Sequence, residues 1–291
     1  MSEARSGLPT WQTFALTAVA MLAFAANSLL CRLALHQTGI DPTSFGSIRL
    51  VSGAITLAVI VRLRSQRSAP VPADWLAASM LFAYVAFFSF AYLALSAGTG
   101  ALILFGAVQL TMFSVGLRSG ERFSPVAWAG LALAVAGLVY LLSPGVAAPP
   151  LLGAASMAVA GVAWGVYSLR GRGVADPLAA TAGNFVRAVP FALVLSLLCA
   201  ANVHADAAGA CLAVASGALT SGIGYAIWYA ALRKLSAMRA STVQLSVPLI
   251  AAFGGMLFLS EAITPRLAAA SAAILGGIAL VLTSRAQKPR P

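Results

Sequence analysis

Charge is what this sequence has least of. Only 9% of its 291 residues are Asp, Glu, Lys or Arg, and seven of them are acidic. Soluble domains carry about 25% charged residues. A chain that is 60% hydrophobic, with a mean hydropathy of +0.93, has too little polar surface to cover a globule in water. That shortage excludes a soluble enzyme and a water-exposed receptor domain. Cysteine is scarce too. Cys31, Cys199 and Cys211 are odd in number, show no CxxC spacing and lie in or beside apolar runs. They argue against a disulfide framework or zinc site and for small core side chains. The net charge of +11 forms no basic stripe beside aromatics, as a nucleic-acid surface requires. Nucleic acid is therefore not an expected partner.

What fills the chain is apolar runs of about 20 residues, the length that crosses a roughly 30 Å hydrocarbon core as a helix. Ten such helices are expected, over residues 11–35, 44–63, 73–96, 99–117, 125–142, 151–169, 177–201, 208–232, 240–260 and 265–284. The first is too long for a signal-peptide core and reads as retained. Ser124-Pro125 and Thr264-Pro265 are helix starts, a capping hydroxyl followed by proline at the first helical position. The fold class is an all-α polytopic membrane protein with the lipid bilayer as its solvent.

The basic residues fall unevenly between the two sides of such a bundle. One side holds Arg5, Arg62, Arg64, Arg67, Arg118, Arg122, Arg170, Arg172, Arg233, Lys234, Arg239, Arg285, Lys288 and Arg290, fourteen in all. The other holds Arg32 and Arg266, while Arg49 and Arg187 fall inside spans. The positive-inside rule assigns the fourteen-charge side, with both termini, to the cytoplasm of a bacterial inner-membrane protein.

Shifted by 140 residues, the sequence meets itself. Glu121-Arg-Phe-Ser124-Pro125 falls on Glu261-Ala-Ile-Thr264-Pro265, Gly137-Leu138 on Gly277-Ile278, and Phe24-Ala-Ala-Asn27-Ser28 on Trp164-Gly-Val-Tyr167-Ser168. With a small gap, Asp41-Pro42 and Arg49 answer Asp176-Pro177 and Arg187. The halves, 1–147 and 148–291, hold five helices each. Five is odd, so the second half enters the membrane in the opposite sense. Inverted repeats are the architecture of secondary transporters. A duplicated structural bundle, a channel or a membrane-embedded enzyme are the alternatives.

These residues resemble the drug/metabolite transporter superfamily, in particular its ten-helix members built from two EamA-type modules. The resemblance runs from about Phe14 to Ser284. The opening W-G-x-N motif stands as Trp164-Gly165-Val166-Tyr167-Ser168 in the second half and is degraded to Phe24-Ala25-Ala26-Asn27-Ser28 in the first. The family arginine on each module's second helix matches Arg49 and Arg187. The small-residue segment leading through a mid-helix proline to Gly-Glu matches Met238 to Thr242, then Pro248 and Glu261. Val108, beside Gln109, replaces that proline in the first half, so a symmetric kink is not expected. The resemblance implies small-molecule export, and within the family the chain looks like the bacterial aromatic amino-acid exporters.

The chemistry has few candidates. Asp41, Asp74, Asp176, Asp206, Glu121, Glu261, His36 and His204 all lie at span ends or in connections, so the usual intramembrane proton relay is missing. No nucleotide-binding loop is visible. Movement down the substrate's own gradient is the expected mechanism, with proton antiport through Glu121 or Glu261 as the alternative. Either glutamate also reads as a carboxylate placed ahead of a helix start. Arginine does not deprotonate, so Arg49 and Arg187 are gates, transient carboxylate contacts, or structural groups that snorkel or bond a helix end.

Aromatic and amide side chains in mid-span supply a candidate substrate cavity: Phe24, Asn27, Tyr84, Phe88, Gln109, Trp164, Tyr167, Tyr225, Trp228 and Gln244. Tyr84, Phe88 and Tyr92 share one helical face. Asn184 adds another amide, and Tyr229, near Arg233, is expected in the interfacial aromatic belt. Asn27 and Gln244 are the nearest neutral groups for a zwitterion's ends. Glycines such as Gly98, Gly100, Gly217, Gly222 and Gly224 suit close helix packing. The expected function is amino-acid export, aromatic members favoured, by a monomer that needs no cofactor or metal. A proton-coupled exporter of drugs or cationic metabolites would want a buried carboxylate. A membrane enzyme or scaffold would want a metal-ligand cluster or a nucleophile with its base. Membrane-impermeant cysteine labelling at Arg67, Arg122 and Pro291 should report the cytoplasmic side at all three; labelling from the periplasm at any one breaks the ten-helix inverted topology.

Overall fold

Hydrocarbon offers no partner to a backbone N–H or C=O, so a spanning segment must close its own hydrogen bonds. The computed structural model describes residues 10–64, 72–121, 123–145, 148–235 and 237–284, less the side chains of Thr10, Ala237, Met238 and Ser241. All regular structure among them is helical. Arg5, Arg67, Arg122, Arg285, Lys288, Arg290 and Pro291 lie outside the described residues.

The first five spans are α1 (Thr10–Gln37), α2 (Pro42–Leu63), α3 (Trp75–Ala91), α4 (Ala97–Arg118) and α5 (Pro125–Leu142). Then come α6 (Leu151–Arg170), α7 (Pro177–Leu198) and a short 3-10 turn, Ala200–Asn202. The eighth span is α8 (Ala207–Ala215), a π-helical stretch (Ser216–Ile223) and α9 (Gly224–Leu232). The ninth is α10 (Ala237–Gln244) with α11 (Ser246–Leu259), and the tenth α12 (Pro265–Thr283). Nine of these are long and apolar enough to cross a membrane among the described residues. The tenth, α3, has 17 residues, shorter than the expected 73–96. Asp74 caps its first turn through Ala77 N–H, and the chain leaves the helix at Tyr92 before Ser96 caps α4.

Caps account for most of the scarce acid. Asp41, Asp74, Asp176 and Asp206 each accept from backbone N–H groups in the first turn of α2, α3, α7 and α8. Ser124 and Thr264 cap α5 and α12, with Pro125 and Pro265 next, as their dipeptides predict. Pro248 has no N–H for the Gln244 carbonyl, and the ninth span breaks at Leu245. The fourth, with Val108 there, is continuous. Of the cysteines only Cys31 is a core side chain; Cys199 is half-buried and Cys211 exposed, because their helix faces point outward.

The outer surface is apolar: Phe14 and Phe258 are 76% and 73% exposed. In a membrane those faces meet lipid. Inside, α5 packs on α12, α2 on α7, α3 and α4 on α6, and α1 on α9 and α11. The most extensive seam is α5–α12. A Cβ on Gly130 would lie 2.5 Å from the Gly277 carbonyl oxygen, and one on Gly277 would strike the Gly130 carbonyl in return. Gly276, one residue away, has nothing within 4 Å of its missing Cβ. Gly277→Ala should therefore cost stability, by about 1–3 kcal/mol of overpacking, while Gly276→Ala costs none. Thermal unfolding in detergent checks the pair; equal midpoints for both variants would contradict the seam.

Candidate functional site

The ten side chains proposed from sequence, Phe24, Asn27, Tyr84, Phe88, Gln109, Trp164, Tyr167, Tyr225, Trp228 and Gln244, all line one cavity of about 1800 Å³. Its walls come from spans one, three, four, six, seven, eight and nine. One end reaches Arg64, Asp74, Arg170, Arg172, Asp176 and Arg233, in the basic connections. At that mouth Arg64 Nη1 pairs with Asp176 Oδ1 at 3.2 Å and Arg170 Nε with Asp74 Oδ2 at 2.7 Å. Burial alone would raise the Asp74 carboxyl, but the Arg170 and Ala77 hydrogen bonds outweigh it and hold it below its ordinary value. The carboxylate is ionised throughout the neutral range, and its contribution is lost only as pH falls through that depressed value.

Aromatic rings meet in the middle of the cavity. Trp164 is the hub, with ring centroids 4.9 Å from Tyr84, 5.3 Å from Tyr167 and 5.8 Å, stacked, from Tyr225. Phe24 joins through Tyr225 and Trp228. Two expectations fail here. Tyr92 shares its helical face with Tyr84 and Phe88 but lies beyond the cavity, fully buried edge-on against Phe88, its hydroxyl donating to the Ala97 carbonyl. Tyr229 is no belt residue: it lines the cavity with its hydroxyl 2.8 Å from Thr181 Oγ1. The helix turns it inward, one turn after Tyr225.

Arg49 sits behind the deep wall. It is 1% exposed, so it does not snorkel. Its position eight residues after Asp41 places it about 12 Å along α2. Nη2 donates to Tyr84 Oη at 3.1 Å and Nε to Ser221 Oγ at 3.4 Å, and the guanidinium lies 5.2 and 5.0 Å from the Tyr84 and Phe88 ring centroids. Nη1 has no hydrogen-bond partner. The π-helical stretch supplies Ser221, and it reaches α2 because Gly217 has no Cβ: one there would strike the Arg49 carbonyl and Ser52 Oγ. The sequence does not foretell the π geometry or the Ser216, Thr220 and Ser221 hydroxyls; the glycines and hydroxyl residues concentrated in 216–224 are their only signal.

Asn27 is committed within the protein. Its Nδ2 donates to Tyr84 Oη at 3.3 Å, and its Oδ1 accepts from Ser216 Oγ at 2.6 Å. It orients Tyr84 rather than standing free as a polar partner.

Arg187 does not mirror Arg49. It lies half-buried in a shallow outer groove with Ala58, Val61, Arg62 and Val186, and forms no hydrogen bond or ion pair among the described residues. Eight residues after the capping Asp176 stands Asn184, which is buried and lines the cavity. Asn184, not Arg187, holds the register of Arg49.

The end opposite the mouth is shut. Arg32 Nε pairs with Glu261 Oε1 at 3.1 Å, and Arg32 Nη1 donates to the Tyr92 and Leu93 carbonyls. Glu261 Oε2 also accepts from Ala97 N–H at 2.8 Å, capping α4 across the bundle rather than the helix it precedes in sequence. Glu121 is exposed and has no ion pair among the described residues. Arg266 donates to the Tyr140 and Ser143 carbonyls at the same end as Glu261.

Comparison with known proteins gives this geometry a context. A crystal structure of another protein, 20% identical, superposes with a TM-score of 0.64 over 94% of this chain and 98% of that one, which speaks to the fold alone. The chain is 29% identical over 290 residues to the threonine/homoserine exporter RhtA of Escherichia coli K12, covering 96% of this chain and 94% of the relative. It is 53% identical over 278 residues to an uncharacterized protein of Pseudomonas aeruginosa, covering 96% and 97% of the two chains. The model of the EamA-like transporter family matches residues 151–283. With that match and a relative aligned along nearly its whole length, this multi-pass membrane protein belongs to the EamA-like transporter family.

Proposed function

We propose that the protein exports amino acids across the bacterial inner membrane by alternating access, carrying substrate down its own gradient. The observation that carries this reading is the cavity itself, walled by rings and neutral amides from both halves, open at one end and shut at the other. The positive-inside count assigns the open end, and both termini, to the cytoplasm, where an exporter loads. The packing supports an inverted repeat with halves 1–147 and 148–291. Replacing each span by its counterpart five further on carries α3–α6 into α1 with the eighth span, and α4–α6 into α1–α11. The same exchange leaves α2–α7, α4–α11 and α5–α12 in place.

That exchange gives the two glutamates a gating role. Arg32 and Glu261 close the outer end. The 140-residue shift sets Arg172 and Glu121 in the same positions of the other half, and in this state they form no ion pair with each other. Switching breaks the first pair and makes the second, with no proton carried. In a Cys199→Ser/Cys211→Ser background, Glu261→Gln should expose the buried Cys31 to an impermeant maleimide from the periplasm; protection equal to wild type would remove the gate.

The ring cluster favours aromatic amino acids. Small hydroxylated ones are the second reading, favoured by the RhtA relative. Cationic drugs fit less well, since the acids at the cavity mouth are already paired with arginine. Proteoliposomes should take up labelled neutral amino acids saturably, with the rate unchanged when the pH gradient is collapsed. Phenylalanine should compete better than threonine; the reverse order favours the second reading. Transport only of phosphorylated or cationic compounds overturns both. Losing one stacking partner in Trp164→Ala should lower affinity about threefold to tenfold, whereas Phe258→Ala, on the lipid face, should not.

A further inference from the structure

Counting protons at the deep wall shows what it can bind. Tyr84 Oη accepts from Arg49 Nη2 and from Asn27 Nδ2, and Asn27 is held in that orientation by Ser216 Oγ donating to its Oδ1. Both contacts bring protons to the tyrosine oxygen, so its own proton must point elsewhere. Ser221 Oγ likewise accepts from Arg49 Nε. No acceptor for either hydroxyl proton exists among the described residues, and both side chains line the cavity. Behind them Arg49 is almost wholly buried, has one unpartnered nitrogen, and has no carboxylate counter-ion in its contacts. A buried charge without a partner is costly, and two free donors backed by a fixed cation are best complemented by an anion that accepts from both.

We propose that Tyr84 and Ser221 form a carboxylate subsite at the deep end of the cavity, with the Arg49 guanidinium behind them as its fixed counter-charge. The proposal rests on the reading of this cavity as the transport site. A carboxylate has two oxygens, one for each hydroxyl, and is acceptor-only when ionised. The guanidinium stays charged in every state, so it compensates the substrate's anionic end without a proton. Asn27 and Ser216 are positioning residues, since they act through Tyr84. The rest of the substrate then extends toward Trp164, where an ammonium group meets ring faces.

The test is binding to the purified protein in detergent at neutral pH, read by intrinsic tryptophan fluorescence. The probes are L-phenylalanine, L-phenylalaninamide and 3-phenylpropionate. Wild type should prefer the acid over the amide by about tenfold or more, the scale of a hydrogen bond to a charged group. Tyr84→Phe and Ser221→Ala each remove one hydroxyl with little change in volume, and each should collapse the acid-over-amide ratio toward one. Arg49→Gln should do the same; if it does not fold, the hydroxyl variants decide. Equal binding of acid and amide by wild type overturns the proposal, as does a ratio unchanged in both folded hydroxyl variants, or no response to any carboxylate. If amino acids are transported but the amide binds as well as the acid, the subsite falls and the export reading stands. If 3-phenylpropionate binds in a Tyr84-dependent way while no amino acid is transported, the subsite stands and the amino-acid reading falls.

Discussion

A guanidinium in the middle of a spanning bundle must be wrapped by acceptors and rings, because placing it in hydrocarbon costs about 2.5–3.5 kcal/mol even on insertion scales. Arg49 meets that demand with two hydroxyl oxygens and two ring faces, drawn from α3 and the π-helical stretch. Much of the centre follows. The π stretch must approach α2 closely, so Gly217 has no room for a side chain. Tyr84 must turn its oxygen to the arginine, which sets its ring against Trp164. Asn27, on α1, then completes the shell of the same oxygen. One charge thus ties four spans at the depth where a substrate would sit.

Most of the architecture was legible because hydrophobic length is a coarse and strong signal. Span starts were readable at Ser124 and Thr264, where a capping hydroxyl preceded proline; at Asp41-Pro42 the helix starts two residues before the expected 44. What failed was register and facing. The pairing of Arg49 with Arg187 looked natural by residue type, yet the count from each capping aspartate differs by three, which moves the side chain nearly one turn along the helix and about 60° around it. Tyr92 shared a face with Tyr84 in projection, but the helix ends at Ala91 and the ring packs around the corner. The π-helical stretch could not be foreseen from periodicity, because a wider turn leaves no mark in a run of small residues. The placement of the ten cavity residues was legible for a simple reason: in so apolar a chain, mid-span amides and hydroxylated rings have few places to go.

The shut end shows how little polar material a membrane protein needs when each group serves twice. Glu261 neutralises Arg32 and also satisfies the first N–H of α4, while Arg32 spends its other nitrogen on the carbonyls that end α3. Three helix ends are joined by two side chains. Separating α1 from α4 must break at least one of the two contacts that Glu261 makes.

The seam between α5 and α12 has a different kind of consequence. Neither helix contributes a residue to the cavity wall, and each presses a glycine onto the other's carbonyl. Two positions with no room for a side chain are therefore remote from the cavity. The rings and hydroxyls of the wall can drift toward new cargo without disturbing that seam. A substitution at the seam and one on the wall therefore act on different things, the first on whether two helices can stay in contact and the second on what the cavity can hold.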